Sequence, residues 1–234
     1  PIISARGLTR VFGSGESAVT AVDDVDLDVY AQEFLSVTGR SGSGKTTLLN
    51  LMAGLDRPTA GTVLIYGFHL AALPESRLGE LRRRTVGFIF QSFGLMPLLS
   101  AQENVELPLH IGGLSWRDRR RRAVEALELV GLGPRAQHRP YELSGGEQQR
   151  VAIARALVTG PDVVFADEPT GELDSATAIS VTAILKDIAQ HKRVTVVVAT
   201  HDLTLARMAD RRVTLTDGVL DESDVAPSQH LSEI

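Results

Sequence analysis

The sequence contains no cysteine, which excludes a disulfide framework and any chemistry that needs a thiolate. It also lacks an apolar run long enough to cross a bilayer. Residues 194–199, among the most apolar, are only strand-sized, whereas a spanning helix needs about 20 residues. Residues 1–6 show no signal-peptide pattern. These absences fit a cytoplasmic chain, for which any membrane role is expected to come through a partner.

A surplus of positive charge is missing as well. The chain has 24 Lys and Arg against 29 Asp and Glu, a formal charge of -5, which argues against a nucleic-acid-binding surface. Two arginine clusters, at residues 82–84 and 117–122, are interpreted as solvated helix faces, with an anionic headgroup or an acidic partner loop as the alternative. The length of 234 residues fits one large α/β domain with an inserted subdomain.

The pattern of apolar residues predicts a parallel sheet covered by helices. Val25, Leu27 and Val29 alternate with aspartates, as in a half-buried strand. Further predicted strands and helices alternate after residue 160. We predict a core over about residues 1–90 and 160–220, a helical insert over about residues 91–159, and a frayed polar tail over residues 221–234.

A glycine-rich segment between a predicted strand and a predicted helix has the full spacing of a phosphate-binding loop. Its backbone N–H groups are expected to bind phosphate oxygens, Lys45 to contact the β- and γ-phosphates, and Thr46 to bind Mg²⁺. A chance glycine-rich turn is the alternative. The candidate nucleotide-binding residues here are Gly39, Arg40, Ser41, Gly42, Ser43, Gly44, Lys45, Thr46 and Thr47.

Two adjacent carboxylates end an apolar segment at residues 163–168. Ligands of open α/β sheets bind at the carboxyl ends of strands. Asp167 is therefore predicted to hold Mg²⁺, and Glu168 to act on the attacking water as general base or positioning group. The alternative is an acid that caps a helix. A second predicted anion-binding helix start follows Leu143, with the sequence Ser144-Gly145-Gly146.

Together these motifs resemble the nucleotide-binding subunit of an ABC (ATP-binding cassette) transporter, and the resemblance covers about residues 1–220. Gln91 resembles the Q-loop glutamine, Glu172-Leu173-Asp174 the D-loop, His201 the switch histidine and Phe12 the aromatic residue that stacks on adenine. Taken singly, Gln91 could be a surface residue, His201 a neighbour of a helix cap, and Phe12 a hydrophobic plug.

The resemblance implies a P-loop NTPase core with an antiparallel β subdomain and an inserted α-helical subdomain. It also implies ATP and Mg²⁺ as ligands, with Gln91 joining Thr46 and Asp167 at the metal. The catalytic set would be Lys45, Gln91, Glu168 and His201. Two copies would pair head to tail, so that one copy completes the other's ATP site. The residues acting across that interface would be Ser144, Gly145, Gly146, Glu147 and Asp174.

Residues 90–97, 103–108 and 166–171 resemble the branch that contains lipoprotein-releasing, macrolide-efflux and cell-division-type ATPases. The resemblance implies that the chain is a transport motor, which lies at the cytoplasmic face of the inner membrane and is bound there to a membrane-spanning permease. A cell-division-type envelope regulator and a soluble DNA-repair-type ATPase are the alternatives. Apolar residues of the stretch after Gln91, including Phe93 and Leu98, are expected to dock the membrane partner or else to pack between the lobes.

Gln32, Glu172 and Phe12 depart from the family's usual residues. Gln32 stands where relatives usually have glycine, so its turn must avoid a positive φ or accept strain. Glu172 adds a charge near the expected dimer interface. Phe12, in place of the usual tyrosine, can still stack but has no hydroxyl.

Overall fold

A computed structural model describes residues 1–221 of the chain. Ten strands and seven α-helices occur within these residues. The strands are β1 (Ile3–Phe12), β2 (Val19–Val29), β3 (Phe34–Thr38), β4 (Ala60–Ile65), β5 (Phe68–His69), β6 (Val86–Ile89), β7 (Val163–Asp167), β8 (Thr195–Thr200), β9 (Arg211–Thr216) and β10 (Val219–Asp221). The helices are α1 (Lys45–Met52), α2 (Glu75–Thr85), α3 (Ala101–Ile111), α4 (Trp116–Leu129), α5 (Gly145–Leu157), α6 (Ser175–His191) and α7 (Leu203–Arg207).

The strands form two sheets. One is antiparallel, in the order β2-β1-β4-β5, and the other follows the order β10-β9-β3-β8-β7-β6. In the second sheet every neighbouring pair is parallel except β9 and β10. The carboxyl ends of β3, β6, β7 and β8 therefore lie along one edge of this sheet.

The central strands explain why the sheet is covered on both faces. All residues of β3, β7 and β8 are buried, as expected of parallel strands with helices on both sides. Side chains alternate between the faces. Val164 and Ala166 join the core that contains α3 to α6, whereas Val163 and Phe165 join the core that contains α1 and the antiparallel sheet.

The predicted fold class is confirmed, including the antiparallel sheet and the helical insert. The predicted helical pattern over residues 91–159 is wrong for its first ten residues, which form turns before α3 begins at Ala101. Helix α2 and strands β5, β9 and β10 were not predicted. Asp221, placed in the frayed tail by the sequence prediction, is the last residue of β10. The rest of that tail, residues 222–234, lies outside the described residues.

Gln32 accepts the strain that its sequence position predicted. Its φ is +63°, in the left-handed region that costs an ordinary residue about 1 kcal/mol. The backbone N–H of Gln32 donates to the Thr195 hydroxyl at 2.9 Å, which ties this turn to the start of β8.

Candidate functional site

The strongest sequence candidates converge on the carboxyl edge of the parallel sheet. Gly39 follows β3, Asp167 ends β7, and His201 follows β8. Because β7 and β8 are neighbours, with Asp167 opposite Ala199, the residue after Asp167, Glu168, is brought next to His201. These candidates are up to 162 positions apart in the sequence, and they meet because three parallel strands end together.

The glycine-rich loop between β3 and α1 has a conformation that only glycine tolerates. Gly44 has a φ of +100°, and a Cβ there would lie 1.9 Å from the carbonyl oxygen of Ala21. Helix α1 begins at the next residue, and no side chain caps its first N–H groups. The Ser43 hydroxyl is buried and has no hydrogen-bond partner within the described residues. This loop therefore presents unsatisfied donors at a helix start, as a phosphate-binding site requires.

Lys45 is buried, with its ammonium group inside this loop. Its Nζ donates to the carbonyl oxygens of Gly39 at 2.9 Å and Arg40 at 3.0 Å. The same atom lies 3.6 Å from Oε1 of Glu168. Lys45 thus places a positive charge between the glycine loop and the carboxylate of Glu168.

Thr46 and Asp167 form a second pair at this edge. The Thr46 hydroxyl donates to Oδ1 of Asp167 at 3.1 Å. Burial raises the pKa of Asp167 above its usual value, and nearby Glu168 also raises it, whereas the hydrogen bond from Thr46 and the charge of Lys45 lower it. A cation bound here would favour the ionised form of Asp167.

Glu168 and His201 are in direct contact. Nδ1 of His201 lies 2.9 Å from Oε2 of Glu168, and the backbone N–H of His201 donates to the same oxygen at 3.3 Å. Glu168 is buried and has a φ of +45°, whereas 65% of the His201 side chain is exposed. The carboxylate therefore has Lys45 near one oxygen and His201 at the other.

Gln91 and Phe12 lie at the margins of this site. Gln91 is exposed beyond the end of β6, and its Nε2 would lie 3.8 Å from a Cβ placed on Gly171. Phe12 is 43% exposed, so the interpretation as a hydrophobic plug is wrong. The guanidinium of Arg10 lies 4.5 Å from the centre of its ring, and Arg10 is also paired with Asp56.

Three of the residues expected to act across a dimer interface, Ser144, Glu147 and Asp174, take part in capping helices of their own chain. Ser144 caps α5 by accepting from the Glu147 N–H at 3.3 Å, and Glu147 in turn accepts from the Ser144 N–H at 2.8 Å. That backbone hydrogen bond is the main reason that the pKa of Glu147 is lowered. Asp174 caps α6, and the hydroxyl of Thr177 lowers its pKa. Ser144 and Asp174 are exposed.

Two residues of α5 that sequence reasoning left without a role contact loops of this site. Gln149 donates to the carbonyl of Pro169, next to Glu168. Arg155 donates to the carbonyls of Phe93 and Gly94, in the turns after Gln91. Both lie on the helix that begins at Gly145. The sequence does not indicate which loops their side chains contact, and only the fold shows it.

Comparison with known proteins points to the same family as the motifs in the sequence. The family model described as "ABC transporter" matches residues 22–171. The chain is 48% identical over 221 residues to the lipoprotein-releasing system ATP-binding protein LolD of Chromohalobacter salexigens, covering 94% of this chain and 93% of that protein. It is 43% identical over 235 residues to the macrolide export ATP-binding/permease protein MacB of Marinobacter nauticus, of which it spans only 36%.

Solved structures of ATP-binding cassettes have the same fold as this chain. The chain superposes with a TM-score of 0.86 on the ATP-binding cassette MJ0796, in a dimeric post-hydrolysis state with ADP and Pi. The two sequences are 42% identical, and the match covers 94% of this chain and 98% of the other. A second dimeric structure of MJ0796 gives the same TM-score at 43% identity.

Proposed function

Because the chain belongs to the ABC transporter family and is an ATP-hydrolysing cassette, we propose that it is the motor of a membrane transporter of the lipoprotein-releasing and macrolide-export branch. The observation that carries its catalytic part is the meeting of Lys45, Asp167, Glu168 and His201 at one edge of the sheet, and the similarity to LolD and MacB supports the branch. The reaction is in-line attack of water on the γ-phosphate of ATP, for which the protein supplies position and charge.

In this proposal each residue of the edge has a defined role. The glycine loop binds the phosphates through backbone N–H groups, and Lys45 neutralises charge on the β- and γ-phosphates. Glu168 accepts a proton from the attacking water or orients it. His201, held at 2.9 Å from Glu168, orients that carboxylate and reaches the γ-phosphate from the exposed side.

Mg²⁺ would be held by Thr46 and Asp167, with Gln91 completing the set. No group of three or more His, Cys, Asp or Glu residues in residues 1–221 could hold a metal by itself. This fits Mg²⁺, which usually keeps waters and binds one or two protein groups together with substrate phosphates. When bound, the ion supplies a charge that neutralises the phosphate oxygens.

We propose that ATP is enclosed between two copies of the chain. Ser144 and Gly145 lie at the start of α5, where backbone N–H groups and the helix dipole favour an anion. Gly146 packs closely against Thr177: a Cβ added at Gly146 would lie 2.2 Å from the Thr177 methyl, so there is no room for a larger residue. The dimeric MJ0796 cassettes support this arrangement.

Coupling to the membrane requires a partner surface on this chain. Within residues 1–221 no helix has the length and apolar character of a membrane span. Leu98 is 80% exposed and Met96 is 50% exposed, both in the turns between Gln91 and α3. We propose that this surface docks a cytoplasmic segment of a permease at the inner face of the inner membrane. The permease is either a separate chain, as the LolD match suggests, or part of a longer chain, as in MacB.

Replacing Phe12 with alanine should weaken ATP binding about tenfold, because stacking on a base contributes about 1–3 kcal/mol. The affinity is measured by calorimetric titration in the presence of Mg²⁺. Phe68→Ala is the matched control, since Phe68 is an exposed aromatic residue of the same antiparallel sheet. Equal affinities for the Phe12 variant and the wild type would refute the stacking role.

Replacing Leu98 with glutamate should detach the chain from its permease while folding and ATP binding are kept. Co-purification in mild detergent from membranes of the host cell measures this loss. Leu129→Glu, at an exposed leucine of α4, is the control. Phe93 is a poorer probe, because it is half-buried and lies close to Gly145.

The docking surface lies elsewhere if the folded Leu98 variant still co-purifies with its permease. If the wild-type chain itself retains no membrane protein, the transport-motor proposal loses its support, although the ATPase assignment stands. The permease recovered in the control would also separate a transporter from a cell-division-type regulator.

A further inference from the structure

Gln149 is a buried polar residue for which the ATPase assignment provides no role. It lies on α5 and is 0% exposed. Its Nε2 donates to the carbonyl oxygen of Pro169 at 2.7 Å. Its Oε1 is buried and has no hydrogen-bond partner within the described residues. Within the described residues, the amide of Gln149 therefore makes its hydrogen bond to the turn after β7 through Nε2.

The carbonyl that Gln149 binds belongs to the residue directly after Glu168. Glu168 has a φ of +45°, a conformation that ordinary residues keep only when the surroundings enforce it. Two backbone hydrogen bonds act on this turn: the Glu168 N–H donates to Ala199 at 2.9 Å, and the Gly171 N–H donates to the Glu168 carbonyl at 3.1 Å. The hydrogen bond from Gln149 is accepted by the carbonyl of Pro169, which lies between Glu168 and Gly171 in this turn.

The side chain of Glu168 is held by different groups from those that hold its backbone. Lys45 and His201 contact its two carboxylate oxygens, and both are expected to change partners when a phosphate binds. The backbone hydrogen bonds and the one from Gln149 involve no group that binds nucleotide. They are therefore the contacts that can keep the carboxylate in place throughout the reaction.

We infer that Gln149 is a positioning residue for hydrolysis, which holds the strained turn after β7 so that the Glu168 carboxylate stays aligned for the attacking water. The inference rests on the proposed role of Glu168. It also assigns a task to α5. The N-terminal end of this helix carries Ser144, Gly145 and Gly146, which we propose bind the other subunit's ATP. About one helical turn later, Gln149 donates a hydrogen bond to the turn that follows Glu168 in its own subunit.

The test replaces Gln149 with methionine, which has a similar length but cannot donate to the Pro169 carbonyl. A displacement of a catalytic group by about 1 Å can lower a rate about 10²-fold. We expect kcat to fall at least about tenfold, while the affinity for ATP stays within about twofold of the wild type. Gln102→Met is the control, because Gln102 is a buried, hydrogen-bonded glutamine on α3 of the same helical insert.

A double-mutant cycle with Glu168→Gln separates positioning from a general structural effect. If Gln149 acts through the Glu168 carboxylate, Gln149→Met should not lower the residual single-turnover rate of the Glu168→Gln variant any further. An equal fold loss in both backgrounds would overturn the inference, as would an unchanged kcat in a folded Gln149→Met protein. If Glu168→Gln itself keeps the full rate, the proposed role of Glu168 fails, which is a different result.

If the methionine variant does not fold, Gln149→Asn takes its place, because it keeps the amide but is one methylene too short to reach the carbonyl. Failure of both variants to fold, judged by thermal unfolding beside Gln102→Met, would show that Gln149 is needed for the fold and not for the reaction. That result would also overturn the inference.

Discussion

Replacing Lys45 with alanine is expected to abolish measurable ATP binding. Lys45 is buried at the start of α1, and its ammonium lies 2.9 Å and 3.0 Å from two carbonyl oxygens of the glycine-rich loop between β3 and α1. A hydrogen bond to a charged group contributes about 1.5–3 kcal/mol, and each 1.4 kcal/mol is a factor of about ten in affinity. Since Lys45 is expected to contact two phosphates, we expect the affinity to fall at least about a hundredfold.

The loss has a second cause in the free protein. Without Lys45, the buried carboxylates of Asp167 and Glu168 lose the positive charge beside them, and they repel the incoming phosphates. Calorimetric titration with ATP and Mg²⁺ measures the effect, and thermal unfolding checks that the variant is folded. Lys192→Ala, at an exposed lysine after α6, is the control. An unchanged affinity in a folded Lys45 variant would refute its role.

The proposed phosphate-binding edge could be predicted from the sequence because each part of it is local. The glycine loop needs residues at fixed short spacing, and its conformation depends on glycines that no other residue could replace, as at Gly44. Asp167 was predicted because it ends an apolar segment that forms a buried strand, whereas His201 was predicted from its resemblance to the family's switch histidine after such a segment. Parallel strands then bring these ends together, so the meeting of separate motifs followed from the predicted fold class.

The contacts that connect the helical insert to this edge could not be predicted, because they depend on tertiary packing. The hydrogen bond from Gln149 to Pro169 joins α5 to the turn after β7, and the hydrogen bonds from Arg155 join α5 to the turns after Gln91. Nothing in the spacing of these residues indicates which carbonyl each one binds. The left-handed conformation of Glu168 is likewise invisible in the sequence, since a glutamate rarely adopts it.

The secondary-structure errors have local causes. Helix α2 was missed because it is mostly charged and buries only Leu78 and Thr85, so it lacks a strong apolar periodicity. The helical insert was predicted to begin at about Gln91, whereas the residues between Gln91 and α3 form turns. There, Phe93 and Gly94 have positive φ values that end any helix. The exposure of Leu98 shows that these apolar residues are not all core.

Replacing Glu168 with glutamine is expected to stop hydrolysis while ATP binding is retained. A glutamine has almost the same shape, but its amide cannot accept a proton from water, and general base catalysis contributes about 10²–10⁴-fold to a rate. The exchange also removes a negative charge 3.6 Å from Lys45, which should favour rather than oppose the binding of a phosphate. We therefore expect kcat to fall at least about a hundredfold, with an ATP affinity equal to or higher than that of the wild type.

The same variant tests whether two copies enclose the nucleotide. If ATP stays uncleaved between two subunits, the Glu168→Gln protein with ATP and Mg²⁺ should elute as a dimer in size-exclusion chromatography with light scattering, whereas the wild type should return to monomer as ATP is consumed. Glu128→Gln, the same exchange at an exposed position of α4, should behave as the wild type in both assays. A variant that hydrolyses ATP at the normal rate would exclude Glu168 as the base. A variant that is inactive but stays monomeric at high concentration would contradict pairing of the chain with itself. A second, different ATPase subunit would then have to supply the Ser-Gly-Gly helix start, because a single copy places only its own phosphate loop at the edge of its sheet.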